Sequence, residues 1–246
     1  MYRVVFIRHG QSIWNKKKIF TGWTDVDLSP GGIREAKVAA SILRNEKICF
    51  DIAFTSYLKK AIRTLWIVLD RMDLMWIPVH KTWRLNERHY GALQGLSKPQ
   101  TARRIGKEKV MEWRRGYYTR PPELEKEDDR FPGNDPRYSD IDKKLLPAAE
   151  SLKDVQIRVM KYWENTVVPQ VRKGRRVLIS SHGNTLRSMV MHFDNISTRD
   201  VKDLNIPTGI PFTYEFDDNF NVTGHHYHGE QKKAQKAAER VAGELG

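Results

Sequence analysis

The sequence predicts an α/β protein, a three-layer sandwich with a mostly parallel central sheet flanked by helices. Three observations predict it. Two short apolar runs rich in β-branched residues, "YRVVFI" and "RRVLIS", read as buried strands. The chain between them carries segments with helical periodicity. Each run also ends in a histidine-glycine pair, His9-Gly10 and His182-Gly183, at the carboxyl end of a strand, where open parallel sheets collect ligands.

The elements follow in order. After the first strand, "SPGGIREAKVAASILRNE" places Ile33, Ala36, Ala40 and Leu43 on one helical face. Ser29-Pro30 suits its start, because serine caps free amides and proline tolerates the first helical position. "LKKAIRTLWIVLDRM" repeats Leu58, Ala61, Ile62, Leu65, Leu69 and Met72 at helical spacing. The run "LWIVLDRMDLMWIPVHKTW" supplies either core or an interface. Residues 121–147 break every period with proline, glycine and charge, which predicts a long surface excursion, either a lid or a passive loop. "SLKDVQIRVMKYWENTVV" is a helix opened by a capping box of Ser151 and Asp154. The second strand then runs into "NTLRSMVMHF", which can start another helix. Residues 1–229 read as one catalytic domain and 230–246 as a flexible or helical tail.

Composition narrows the function classes. A chain of 246 residues buries a full core without metals or disulfides. The single cysteine, Cys49, forbids an intrachain disulfide and suits a reducing compartment. The N-terminus turns charged too soon for a signal peptide, and no apolar run approaches the roughly 20 residues of a membrane span. A cytoplasmic protein with no membrane partner is expected. The net charge of +13 fits nucleic acid, acidic lipid or small anions. It is spread in short pairs without an aromatic-basic repeat, so no nucleic-acid partner is expected. "HHYH" at 225–228 lacks acidic or cysteine partners at metal-binding spacing and reads as surface histidines, so no metal is expected.

The two histidine-glycine ends carry the chemistry. Either histidine alone is most simply a structural residue at a strand end. Together they place two imidazoles over one pocket. Helix starts there offer amides to phosphate. Arg8 adds a planar fork of donors. A histidine among such groups can attack phosphorus. In "WRLNERHYGALQG", Glu87 is a carboxylate near an anion pocket, where proton transfer would give it a task. Alone it reads as a salt-bridge partner.

The segments "RHGQSIWNKKKIFTGWTDVDLSPGG", "TSYLKKAIRTLW", "TWRLNERHYGALQGLSK", "EWRRGYYTRPP", "ESLKDVQIRVMKYW", "SHGNTLR" and "LNIPTGIPFTYEF" resemble the cofactor-dependent phosphoglycerate mutases of the histidine phosphatase superfamily. The match runs in order from about residue 3 to 217. The resemblance implies a phosphoglycerate mutase-like fold and a catalytic set of His9, Arg8, His182 and Glu87. His9 would become the phosphohistidine, His182 would support the transferring group, and Glu87 would exchange protons. It further implies that Asn15, Asn184 and Gly183 complete the phosphoryl pocket, with Ser12 at its edge. Thr21 and Gly22 would meet the substrate carboxylate, while Arg88, Tyr90, Lys98, Arg114 and Arg115 grip the carboxylate and the phosphate that does not react. The implied activity is interconversion of 3- and 2-phosphoglycerate in glycolysis and gluconeogenesis, with 2,3-bisphosphoglycerate as phosphoryl primer. The implied partners are small phosphoglycerates and a second copy or more of the chain, as homodimer or homotetramer.

One departure is Lys60, where the family usually has arginine. Lysine keeps the charge and loses the fork, which leaves open the balance of mutase, synthase and phosphatase activities. A phosphatase of the same superfamily would use the same histidines and pass the phosphate to water. The "LNERHYG" and "WRR" segments weigh toward the mutase.

Overall fold

The computed structural model describes residues 1–230 together with 235, 236, 238 and 239. The tail expected over 230–246 therefore lies mostly outside the described residues. The elements in chain order are β1 (Tyr2–Arg8), α1 (Ile13–Lys16), α2 (Pro30–Asn45), β2 (Ile52–Thr55), α3 (Lys59–Arg71), β3 (Val79–Lys81), α4 (Lys98–Ile105) and α5 (Lys107–Arg115). They continue with α6 (Leu152–Tyr162), α7 (Val168–Arg172), β4 (Val177–Ser181), α8 (Gly183–Phe193), β5 (Pro211–Phe216) and β6 (Val222–Tyr227).

The strands form one six-stranded sheet in the order β3-β2-β4-β1-β5-β6. β3, β2, β4 and β1 are mutually parallel, as the buried apolar runs predict. β5 and β6 are antiparallel, so the sheet is mixed and the expectation of a mostly parallel one needs correcting at this edge. The reason is local. β5 and β6 are joined by a tight turn in which the Asp217 carboxylate accepts from the amides of Asn219 and Asn221. So short a link permits only an antiparallel β5–β6 pair, while β5 itself runs against β1 after the longer connection from α8.

Alternation along β1 divides the core. Val4 and Phe6 face a cluster with Val159, Trp163, Leu186 and Phe193 from α6, the turn after it and α8. Val5 and Ile7 face Ala39, Ala40, Leu43, Leu65 and Val68 from α2 and α3. Both faces are covered, so these strands are apolar on both sides. The helix starts are as the sequence predicts. Ser29 accepts from the Gly32 amide with Pro30 at the first helical position, and Ser151 and Asp154 form a reciprocal capping box.

Residues 121–147 contain only short 3-10 turns, yet they are tied down. The Tyr138 ring stacks 5.1 Å from Trp23, and its hydroxyl accepts from Asn86 Nδ2 at 2.9 Å. Arg137 pairs with Asp25 at 2.8 Å, and Arg130 Nη1 donates to the Gln94 carbonyl at 2.8 Å. The "HHYH" run also departs from a set of surface histidines. His228 is buried between Thr213 Oγ1 and Glu46 Oε2, each at 2.6 Å, while His225 and His226 are exposed. The tryptophan-rich run is divided: Leu65, Val68, Leu69 and Ile77 are core, and Trp66, Met75 and Trp76 are exposed.

Candidate active site

Strand register builds the site. β1 and β4 are adjacent and parallel, with Arg8 opposite Ser181. The next residue of each strand is therefore a histidine beside a histidine. The His9 amide donates to the Ser181 carbonyl at 2.9 Å, and the His9 and His182 ring centroids are 5.0 Å apart. β2 ends alongside β4, so Ser56 follows into the same place, and its Oγ lies 2.7 Å from His182 Nε2.

Both imidazoles are buried and held neutral. Burial, and then the Lys60 and Arg8 cations, keep His9 well below the ordinary histidine value. Burial, Lys60 and His9 do the same to His182. His9 Nδ1 lies 2.7 Å from the Gly10 carbonyl, which can only accept, so Nδ1 carries the proton. That leaves the Nε2 lone pair as the nucleophilic end of the ring. His182 Nδ1 is buried with no hydrogen-bond partner among the described residues.

A cleft open to solvent lies above them. Its wall carries Arg8, Lys60, Lys98, Arg114, Arg115 and Arg187, with Glu87 as the one carboxylate among the described lining residues. Arg8 Nη1 is anchored on the Ile206 carbonyl at 2.6 Å. Its guanidinium lies over Gly183, where an added Cβ would sit 3.2 Å away, so the bare backbone at the start of α8 is what lets the cation in. Gly22 has a φ of +53° and packs on Gln94, which a Cβ would strike at 2.2 Å. Lys60 Nζ reaches the Gly22 carbonyl at 3.5 Å. Burial pulls Lys60 down to about 8, against the pull of Glu87 and Asp25.

Glu87 Oε1 accepts from the Arg88 amide at 2.8 Å and from the Asn184 amide at 3.1 Å. The second of these is a free amide in the first turn of α8. Burial raises the Tyr90 hydroxyl, but Arg88 and Arg114 outweigh it and leave the net shift downward.

The cleft gathers most of the residues the sequence singled out: Arg8, His9, Asn15, Thr21, Gly22, Lys60, Glu87, Tyr90, Lys98, Arg114, Arg115, Gly183 and Asn184. His182 sits behind it, against His9 and Ser56. Two expected contacts lie elsewhere. Ser12 is fully buried, and it caps α1 by exchanging hydrogen bonds with Asn15 at 3.0 and 3.1 Å. Arg88 is fully buried behind the wall, where Nη2 donates to the Tyr90 hydroxyl at 2.8 Å and to the Arg114 carbonyl at 2.6 Å. There it braces the last turn of α5. Sequence reasoning missed Ser56, Arg187, Asn205 and Ile206. Arg187 falls on the α8 pattern four residues after Gly183, and that spacing is the signal that could have found it. No group of three or more His, Cys, Asp or Glu among the described residues is placed to hold a metal. No described helix is long and apolar enough to cross a membrane.

Comparison with known proteins gives a family and a correction. The profile of the histidine phosphatase superfamily (branch 1) matches residues 4–131 and 134–224. Among solved structures, the chain is similar to a mycobacterial glucosyl-3-phosphoglycerate phosphatase at 21% identity, covering 87% of this chain and 93% of that one, with a TM-score of 0.66. It is similar to the alpha-ribazole phosphatase of Shigella flexneri at 20% identity, covering 89% and 93%, with a TM-score of 0.63. It is also similar to Bacillus stearothermophilus YhfR at 20% identity, covering 89% and 93%, with a TM-score of 0.68. At these identities the likeness shows the fold. It nevertheless overturns the expectation of a bisphosphoglycerate-dependent phosphoglycerate mutase, because the neighbours named for an activity are phosphatases. The expected 2,3-bisphosphoglycerate primer and the expected bare phosphoglycerate substrates fall with it, since these neighbours are named for other organic phosphates. The paired histidines at the ends of β1 and β4 and the profile match over nearly the whole sheet lead to one conclusion: the chain belongs to the histidine phosphatase superfamily, branch 1.

Proposed function

We propose that the protein is a phosphomonoesterase that works through a phosphohistidine on His9. The observation that carries the reading is the His9 ring itself: buried, neutral, tied through Nδ1 to the Gly10 carbonyl and set among Arg8 and Lys60. In the first step Nε2 forms a bond to phosphorus as the ester P–O bond breaks, and the leaving alkoxide takes a proton from Glu87. In the second, Glu87 takes a proton from water, the resulting hydroxide forms the new P–O bond, and the N–P bond breaks with its electron pair returning to Nε2. Arg8, Lys60, His182 and the first amides of α8 stabilise charge on the transferring phosphoryl oxygens. Such transfer is mostly alignment and electrostatics, which suits a pocket with many cations and few titrating groups.

The substrate is a small phosphate ester with a second anionic group. Lys98, Arg114 and Arg115 line the part of the cleft that completes the pocket, and one phosphate does not need so many cations. Glucosyl-3-phosphoglycerate, for which one similar solved structure is named, carries a carboxylate beside its phosphate and fits this class. The test is release of inorganic phosphate from a panel of alkyl phosphates with and without a carboxylate or second phosphate. The wild type should turn over the doubly charged members best, and His9→Ala should be inactive on all of them. Equal turnover by His9→Ala would remove the phosphohistidine from the reaction.

A further inference from the structure

Two asparagines line the cleft, Asn15 and Asn184. An asparagine presents either a donor or an acceptor to an anion, depending on which way its amide is turned. Only the NH2 end suits a phosphoryl oxygen. At Asn15 the choice is made by Ser12, whose amide donates to Oδ1 at 3.1 Å. At Asn184 it is made by Arg187, whose Nη1 donates to Oδ1 at 2.8 Å. A flipped Asn184 would set its own NH2 against Nη1, donor against donor, at that distance. In the observed setting Nδ2 points instead to the Tyr90 hydroxyl at 3.4 Å.

Arg187 is itself held fast. Nη2 donates to the Val201 carbonyl at 2.6 Å, and the two terminal nitrogens reach the Arg114 and Arg115 carbonyls at 3.5 Å. Those last two belong to the final turn of α5, whose carbonyls lack helical partners and form the negative end of the helix dipole. The guanidinium thus ties α8, α5 and the turn at Asp200–Lys202 to one point behind the cleft. It is a cation fixed from three sides that also donates to Asn184 through Nη1.

We infer that Arg187 is a positioning residue for phosphate binding: it locks Asn184 with its NH2 end toward the anion. The inference rests on the phosphomonoesterase reading and adds to it the device that sets the donor pattern of the pocket. Lysine at this position keeps the charge but replaces a planar fork by a point donor that cannot hold Val201 and Asn184 together.

The experiment is a double-mutant cycle on orthovanadate affinity with wild type, Arg187→Lys, Asn184→Ala and the double variant. Each single change should weaken vanadate binding about tenfold, the loss of one charge-directed hydrogen bond. The double variant should bind no worse than Asn184→Ala within about twofold, because the effect of Arg187 runs through Asn184. A double loss of about a hundredfold, the product of the singles, would make Arg187 an independent structural residue and overturn the inference. So would unchanged affinity in Arg187→Lys. Arg187→Gln runs in the same cycle should the lysine variant unfold. A wild type that binds no vanadate overturns the phosphomonoesterase reading and this inference together, whereas binding with additive losses overturns only the role of Arg187.

Discussion

Lys60 is the residue whose charge state is closest to changing in the working range. Its ammonium is buried, and that desolvation brings it down to about 8. Below that value it is a cation beside His9, and above it the cation is lost. The acid side is different. His9 must be neutral to attack, and it stays neutral well below the ordinary histidine value. Protonation of His9 therefore removes no activity until the pH is far into the acid range. The dependence of kcat/KM reports groups of the free enzyme. It should fall as pH rises through about 8, and Lys60→Arg should remove that fall, because arginine stays charged. An identical basic limb in wild type and Lys60→Arg would assign the limb to another group. His9 and His182 stand at strand ends and Glu87 in a dense local motif, so the sequence singles them out, whereas Lys60 comes only from the family resemblance. Arg187 and Asn205 are not singled out. The carbonyls of Arg114 and Arg115 that Arg187 reaches come from a segment far away in the chain, and its spacing on α8 marks only the face it lies on.

At the scale of elements, the segment 84–89 shows how a loop without a ladder is made rigid. Arg158 on α6 donates to the carbonyls of Arg84, Asn86 and Glu87 at 2.7, 3.0 and 3.1 Å. Its charge is paired with Glu150 at 2.6 Å, and both side chains are buried. Glu150 in turn accepts from the His89 amide at 2.9 Å. One buried ion pair therefore fixes the backbone on both sides of Glu87. Removing one partner leaves a buried charge without its counter-ion, at a cost of about 3–5 kcal/mol. Arg158→Met should lower the thermal midpoint by roughly 6–20 °C and lower turnover with it. A change of less than about 2 °C would show that the pair adds little to the fold. The helix caps at Ser29 and Ser151 were readable because a cap is local chemistry. The brace at Arg158 was not, because the sequence shows a helix with an arginine and nothing of what the arginine reaches.

The whole molecule places its chemistry along the edge formed by the carboxyl ends of the central parallel strands, in a sheet whose two faces are already occupied. The parallel half of that sheet was legible from the apolar runs and the helices between them. The antiparallel β5 and β6 were not, since "PFTYEF" alternates little and its partner, "VTGHHY", carries histidines where apolar residues would mark a strand. Residues 121–147 follow a similar pattern. Their proline and charge hide the buried Tyr138 and Leu146, which pack with Trp23, Leu58 and Trp83. The fold brings the carboxyl ends of β1, β4 and β2 together, and with them the two histidines, Ser56 and, in the first turn of α3, Lys60. The net charge of +13 finds part of its use in the cations of that cleft. The central claim is that this edge passes a phosphoryl group from an ester to His9 and then to water. Rapid quench in alkali after mixing with a phosphorus-labelled alkyl phosphate tests it most directly. Label should appear first on the peptide containing His9 and then, in equal amount to the alcohol released, as inorganic phosphate. Label on the peptide containing His182, no labelled protein at all, or label that reappears in a second organic phosphate instead of inorganic phosphate would contradict the account.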